Sequence, residues 1–264
     1  MSDRIVVCLK WAFQASEPSD ARFAGVSHAD HAALELALQW AEHTGGQLTA
    51  VTVGPPQAES VLRDAIACGA TNAIRIDAPL TTSSADVATA IGSVAGHATV
   101  VWCGDYSMDN GSGSVPAFLA ATLKARQALG VIGVSFDDGG ITATRRIDGG
   151  RREVLAVRSP AVISVEGATA RLRRASLTAL RASATAPIDV VVPAIARRTS
   201  EHTVQPYRPR ARALAMPSGA SVLDRVRTLT ATGTAVATHH DVETLAPAAA
   251  AARIVDALRD WGYL

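Results

Sequence analysis

The stretch GDYSMDNGSGSVPAFLA, Gly104 to Ala120, crowds three glycines, three serines, two aspartates and an asparagine between two apolar segments. Glycines let backbone N–H groups approach a ligand closely, and the start of a helix adds the positive end of its dipole. Both favour a phosphate. Metal chemistry fits less well. Asp105, Ser107 and Asp109 open like a calcium-binding loop, but Asn110 stands where that loop needs glycine and Pro116 where it needs glutamate. A Walker A loop would need Gly-Lys-Ser/Thr before the helix. Gly111-Ser112-Gly113 runs into Ser114-Val115-Pro116 and completes no GxGxxG. Two readings stay open from these residues alone: a phosphate cradle or an ordinary polar loop.

Other chemistry is sparse. His239-His240-Asp241 lies in a polar stretch without a carboxylate–histidine pattern, and there is no G-x-S-x-G nucleophile elbow. No pair of acids sits in an apolar setting suited to proton transfer, so the chain does not read as an enzyme that does its own chemistry. Cys8, Cys68 and Cys103 are far apart in sequence and form no CxxC pair. That usage predicts reduced, buried cysteines in a cytoplasmic protein. The net charge is +1, with basic residues spread along the chain, which leaves no electrostatic footprint for nucleic acid or an anionic membrane. No run reaches the roughly 18 apolar residues of a membrane span. The N-terminal MSDRIVVCLKWAF has neither the basic start nor the cleavage site of a signal peptide.

The elements that would position the loop can be read from periodicity. The short β-branched runs are RIVVCLK (Arg4–Lys10), QLTAVTV (Gln47–Val53), AIRID (Ala73–Asp77) and ATVVWCG (Ala98–Gly104). They alternate with segments of i, i+3, i+4 apolar spacing: HAALELALQWAEHTGG, PQAESVLRDAIACGA and SADVATAIGSVAG. Strand–helix–strand at this spacing predicts βαβ units, hence an α/β fold with a mostly parallel sheet covered by helices. Ligands of such sheets sit beyond the carboxyl ends of the strands, which is where the glycine-rich loop begins. After a helix from Val115 to about Arg126, four strand-like runs are broken by DDGG and DGG, the marks of antiparallel hairpins. ARLRRASLTALRAS then reads as an exposed loop entering a short helix. From Pro193 the Pro- and Arg-rich RRTSEHTVQPYRPRARALAMPSG predicts an extended arm leading to two helical segments. With 264 residues, 48% hydrophobic but only 4% aromatic, the core must be built from Ala, Val, Leu and Ile.

The hairpin region resembles a known family. ATRRIDGGRREVLAVRSPAVIS (Ala143–Ser164) is similar to the signature of the electron transfer flavoprotein β subunit. That signature has a basic residue, an acid-Gly-Gly turn, an acid or amide after it, then proline and an apolar pair. Here these are Arg145, Asp148-Gly149-Gly150, Glu153, Pro160 and Val162-Ile163. VVCLKWA resembles the family's opening strand. Asp30, Ala33 and Glu35 resemble its first helix, and TVGPPQAESVLRDAIACGATNAIRI its second helix with the turn that follows. RRASLTALRA resembles its recognition loop, with Leu177 in the place of the exposed anchor leucine and Arg173 and Arg174 beside it. The likeness covers residues 4–192; the loop and the WGYL ending also resemble an actinobacterial branch associated with mycofactocin.

The resemblance implies an adenine nucleotide alpha hydrolase-like fold with a nucleotide-binding domain over 1–192. The arm over 193–264, with apolar faces but too few residues for a core of its own, is expected to pack on this domain or to dock on a partner subunit. It implies an adenine nucleotide, AMP or a second FAD, held by Cys8, by Ser27, His28, Ala29 and Asp30, by Val53, and by Gly104, Asp105, Tyr106, Ser107, Met108, Asp109, Asn110, Gly111 and Ser112. It further implies a redox FAD carried mainly by an α subunit, electrons received from dehydrogenases, and delivery to a membrane quinone reductase. Arg173, Arg174 and Leu177 would dock the redox partner, the arginines steering encounter. The chain departs from the family at Ser27-His28-Ala29, where Asn-Pro-aromatic is usual. Its loop after Asp109 is shorter, and Phe13 or Trp11 is the nearest stand-in for the flavin-contacting aromatic. The rival class, a nucleotide-binding regulatory module of universal-stress type, shares the sheet but usually lacks the DGG hairpins and the long tail.

Overall fold

The first strand, Arg4–Cys8 (β1), is buried through Ile5, Val6 and Val7 and lies in the middle of a nine-stranded sheet. The computed structural model describes residues 3–13, 24–109, 111–137, 139–193, 221–230 and 245–262. Asn110, the arm from 194 to 220 and His239-His240-Asp241 lie outside the described residues. A small antiparallel ladder pairs Ala12–Phe13 (β2) with Ala24–Gly25 (β3).

The first half follows the pattern read from periodicity. Gln47–Gly54 (β4), Asn72–Asp77 (β5) and Val100–Gly104 (β6) join β1 in parallel. Helices His28–Thr44 (α1) and Glu59–Cys68 (α2) cover one face; Ser84–Ala95 (α3) and Val115–Leu123 (α4) cover the other. Helix α1 starts because the Ser27 Oγ accepts a hydrogen bond from the Asp30 N–H, 3.0 Å away. It stops at Gly45, whose φ of +64° is the left-handed cap that a side chain resists.

The second half is where the fold departs from a simple reading. Arg126–Asp137 (β7), Gly140–Arg146 (β8) and Arg152–Val157 (β9) form the expected antiparallel hairpins. DGG turns β8 into β9, so that Arg145 stands directly opposite Glu153 and pairs with it. The spaced signature is thus one turn plus one cross-strand ion pair. Ala161–Val165 (β10), however, does not continue the antiparallel run. It inserts between β6 and β7, parallel to both. The burial explains why: all five β10 residues are buried, as suits a strand covered on both faces, whereas β9 alternates exposed and half-buried. Helix Leu177–Ser183 (α5) then leads to Asp189–Val191 (β11), which adds a parallel strand beside β5 at the far edge. The order is β11-β5-β4-β1-β6-β10-β7-β8-β9.

Residues Met1–Thr199 form one compact unit and Ser200–Leu264 a second. In the second, Val222–Thr230 (α6) begins at Ser221, whose Oγ accepts from the Asp224 N–H and donates to its carboxylate. Pro247–Asp260 (α7) is preceded by Ala246 and has Pro at its first position. Val222, Leu223 and Val226 of α6, Ile254 of α7 and Trp261 just beyond it are exposed.

Candidate functional site

In the sheet, the chain runs outward from β1 through β4 to β5, then returns to place β6 on the opposite side of β1. The gap above the carboxyl ends of β1 and β6 is therefore a topological switch point, the usual place for a ligand in such a sheet. A cleft opens there. Its apolar floor and wall include Leu9, Val51, Val53, Val87 and Ile91, and its rim carries hydroxyls of Thr82, Ser84, Ser107 and Ser112. Apolar walls with a few polar groups suit a flat heterocycle joined to a hydrophilic tail.

Of the residues named from sequence, Cys8, Asp30, Val53, Gly104, Tyr106, Ser107 and Ser112 line this cleft. Ser27 is buried as the cap of α1, and Ala29 is buried beneath Gly104. His28 lies elsewhere, on a separate depression with His31, Thr169 and Arg171. Trp11 is buried in the core and Phe13 packs edge-on against it, ring centroids 4.9 Å apart, so Trp11 presents no face to a second molecule.

Asp30 holds the switch point together. One carboxylate oxygen accepts from the Lys10 N–H at 3.1 Å and the other from the Gly104 N–H at 3.2 Å, joining the segments that leave β1 and β6. Burial pushes its pKa up to about 7, against the opposing pull of those N–H groups, Ser27 and the Lys10 charge. The folded pKa lies above the ordinary 3.8, so the folded state binds the extra proton in the window from there to about 7. The stability Asp30 contributes is therefore full below that window and falls as pH rises through it. Asp30→Asn removes the titration. The melting temperature of the native chain minus that of the variant should decrease steadily between about pH 4 and pH 7, and a flat difference would refute the assignment.

Lys10, unassigned from sequence, organises the loop. Its Nζ donates to the Ser107 Oγ at 2.9 Å and to the Asp109 carboxylate at 2.6 Å. The signal was present: it is one of only two lysines in the chain and closes the strand-like run Arg4–Lys10. Ser107 and Asp109 are also hydrogen-bonded to each other. The loop closes on itself through Ser107 N–H to Ser112 O and Gly111 N–H to Ser107 O, at 3.1 and 2.9 Å. Its polar groups are thus partly satisfied internally, and Lys10 places a positive charge at the mouth of the cleft.

A second surface is built at 171–186. Arg173 is not a free steering charge. Its backbone N–H and guanidinium bond the buried Glu35 of α1, at 2.9 to 3.0 Å, and the guanidinium also pairs with Glu42. Burial alone would raise the Glu35 pKa, but the bonds from Arg173, aided by Gln39, hold it below its usual range. At the other end, Arg63 of α2 donates to the carbonyls of Ser183 and Ala184 at 3.0 and 2.8 Å. Between these two clamps, Leu177 is 66% exposed and Leu180, one turn on, 43%. Arg174 is exposed beside them.

Comparison with known proteins places the chain in a family. A model of the electron transfer flavoprotein domain matches residues 21–196. The protein FixA of Sinorhizobium fredii is 35% identical over 164 residues, 57% of this chain and 57% of its own. The electron transfer flavoprotein subunit beta of Mycobacterium tuberculosis is 33% identical over 144 residues, 50% of this chain and 53% of its own. The acryloyl-CoA reductase electron transfer subunit gamma of Anaerotignum propionicum is 31% identical over 142 residues, 51% and 53% of the two chains. The chain spans little more than half the length of these relatives.

Proposed function

Because this chain belongs to the electron transfer flavoprotein domain family, we propose that it is the β-type half of a two-subunit electron carrier, its redox FAD held mainly by an α subunit. An adenine nucleotide, AMP or a second FAD, would occupy the cleft described above. The observation that carries this reading is the coincidence of the cleft, the glycine-rich loop and Lys10 at the switch point between β1 and β6. The residues fit such a group. Leu9, Val51, Val53 and Val87 offer an apolar slot for a purine, and Lys10 with the Ser84, Ser107 and Ser112 hydroxyls offers partners for ribose and phosphate. When bound, AMP would supply shape and charge, whereas a second FAD would add redox chemistry. The chain then acts as a carrier rather than an enzyme, receiving electrons from dehydrogenases and passing them toward a membrane quinone reductase. The segment 193–264, with the exposed apolar side chains of α6 and α7, would dock on the α subunit. No described helix is long and apolar enough to cross a membrane.

Production with and without an α-type partner tests the assembly. The chain alone should be colourless or weakly flavinylated, and the co-produced complex yellow with stoichiometric FAD. Tight, stoichiometric FAD in the isolated chain would overturn the division of labour. Partner docking is tested at α5. Leu177→Ala should leave stability within about 0.5 kcal/mol, because the side chain is largely in water already. It should lower electron transfer from the cognate dehydrogenase severalfold, since an exposed apolar anchor contributes mainly when a partner desolvates it. Unchanged turnover would place the docking surface elsewhere.

A further inference from the structure

We propose that Cys8 and Cys103 form a reversible dithiol–disulfide site on the floor of the cleft, oxidised by a small hydroperoxide entering from the cleft. Cys8 ends β1, Cys103 is the penultimate residue of the neighbouring parallel β6, and the two stand directly opposite each other in the register. Adjacent strands lie about 4.8 Å apart, within the Cα separation of about 4.4–6.8 Å that a disulfide spans. Opposed residues of a parallel pair also point to the same face. Here that face is the one covered by α3 and α4, where Cys103 belongs to the apolar cluster and Cys8 packs against it. Both side chains line the cleft.

The two sulfurs have different environments. Cys8 is half-buried, whereas Cys103 is only 3% exposed. The neighbouring Cys8, then burial and the nearby Asp30, push the Cys103 pKa well up. Cys103, the more deeply buried of the two, serves as the resolving partner. Cys8, the sulfur reached first from the cleft, is the one to be oxidised. Its thiolate attacks a peroxide oxygen, the O–O bond breaks, and the departing hydroxide takes up the proton that Cys8 released, leaving a sulfenic acid and water. The Cys103 sulfur then attacks the Cys8 sulfur. The S–O bond breaks and hydroxide leaves with the Cys103 proton as a second water. Two thiols and hydrogen peroxide become one disulfide and two waters, with two electrons passing from sulfur to oxygen. The bond would tie β1 to β6 beside the Asp30–Gly104 contact, and it needs no bound nucleotide to form.

Cys68 supplies an internal control. It lies on α2, where its thiol contacts the Arg173 carbonyl oxygen at 3.8 Å, away from the cleft. The purified full chain would be treated with hydrogen peroxide, quenched, alkylated and digested without reduction. The free thiol count should fall from three to one, with a peptide joining Cys8 to Cys103 and full recovery after dithiothreitol. Cys103→Ser should abolish the linked peptide and leave Cys8 to collect oxygen atoms as sulfenic and then sulfinic acid. Should that variant not fold, Cys8→Ser serves in its place, and Cys103 should then stay free under the same treatment. Three free thiols after oxidation, cysteines oxidised singly without the linked peptide, or disulfides joining two chains would each overturn the proposal.

Discussion

Arg173→Glu should destabilise the α/β unit by about 3–5 kcal/mol, the cost of breaking a buried ion pair and leaving one partner unpaired. Glu35 is the partner left behind: it is 6% exposed and receives three of its hydrogen bonds from Arg173. One of these comes from the backbone N–H, so the variant loses two and places a third carboxylate beside Glu35 and Glu42. The same change releases the entry to α5, so a loss of electron transfer should accompany the loss of stability. The pH dependence separates this from a generic packing defect. The Glu35 pKa is depressed in the folded state, so the pair's contribution is present above the ordinary 4.5 and is lost as pH falls through the folded value. The gap between native and variant should therefore narrow in acid. Arg174→Glu, one residue on and exposed, should cost within about 0.5 kcal/mol and act on association rate and its salt dependence. Chemical unfolding at two pH values and stopped-flow mixing with the dehydrogenase measure these effects. Equal stability losses in the two variants would mean that the Glu35 clamp does not hold the segment.

What the sequence disclosed and concealed divides along physical lines. The four βα units were legible because each apolar helix face repeats at the helical period and each strand is short and β-branched. The DGG turn was legible because Asp-Gly and Gly-Gly favour one backbone geometry. The position of β10 was not legible. AVISV is apolar apart from Ser164, which says that both faces are covered but not which strands flank it. The exposure of Leu177 could be anticipated from its setting among Arg and Ser, but the commitment of Arg173 could not. Its acceptors Glu35 and Glu42 lie 138 and 131 residues away in sequence, and nothing local marks them. Likewise Lys10 and the loop it organises, 97 and 99 residues apart, meet only because β1 and β6 are neighbours. Long-range polar contacts depend on topology, and local pattern does not carry them.

Gly113→Val should expel a bound adenine nucleotide, whereas Gly111→Val should weaken its retention far less. From sequence the two glycines look equivalent; in the structure they differ. A Cβ on Gly113 would sit 1.8 Å from the Asp105 carbonyl oxygen and 2.8 Å from its carbonyl carbon, which no side-chain adjustment relieves. The loop's own backbone must move, breaking the closure between Ser107 and Ser112 that shapes the cleft mouth. Gly111 has a φ of +61° but open space, with only the Tyr106 hydroxyl 3.9 Å away. A side chain there costs about 1–2 kcal/mol of backbone strain without a collision. Neither residue packs in the core, so the helical circular dichroism of both variants should match the native chain. Nucleotide is measured by chromatography of the denatured complex. The expected result is an adenine signal lowered at least tenfold in Gly113→Val and largely kept in Gly111→Val. A full adenine signal in Gly113→Val, with the fold intact, would show that the loop does not hold the nucleotide and that the cleft beneath it serves another ligand.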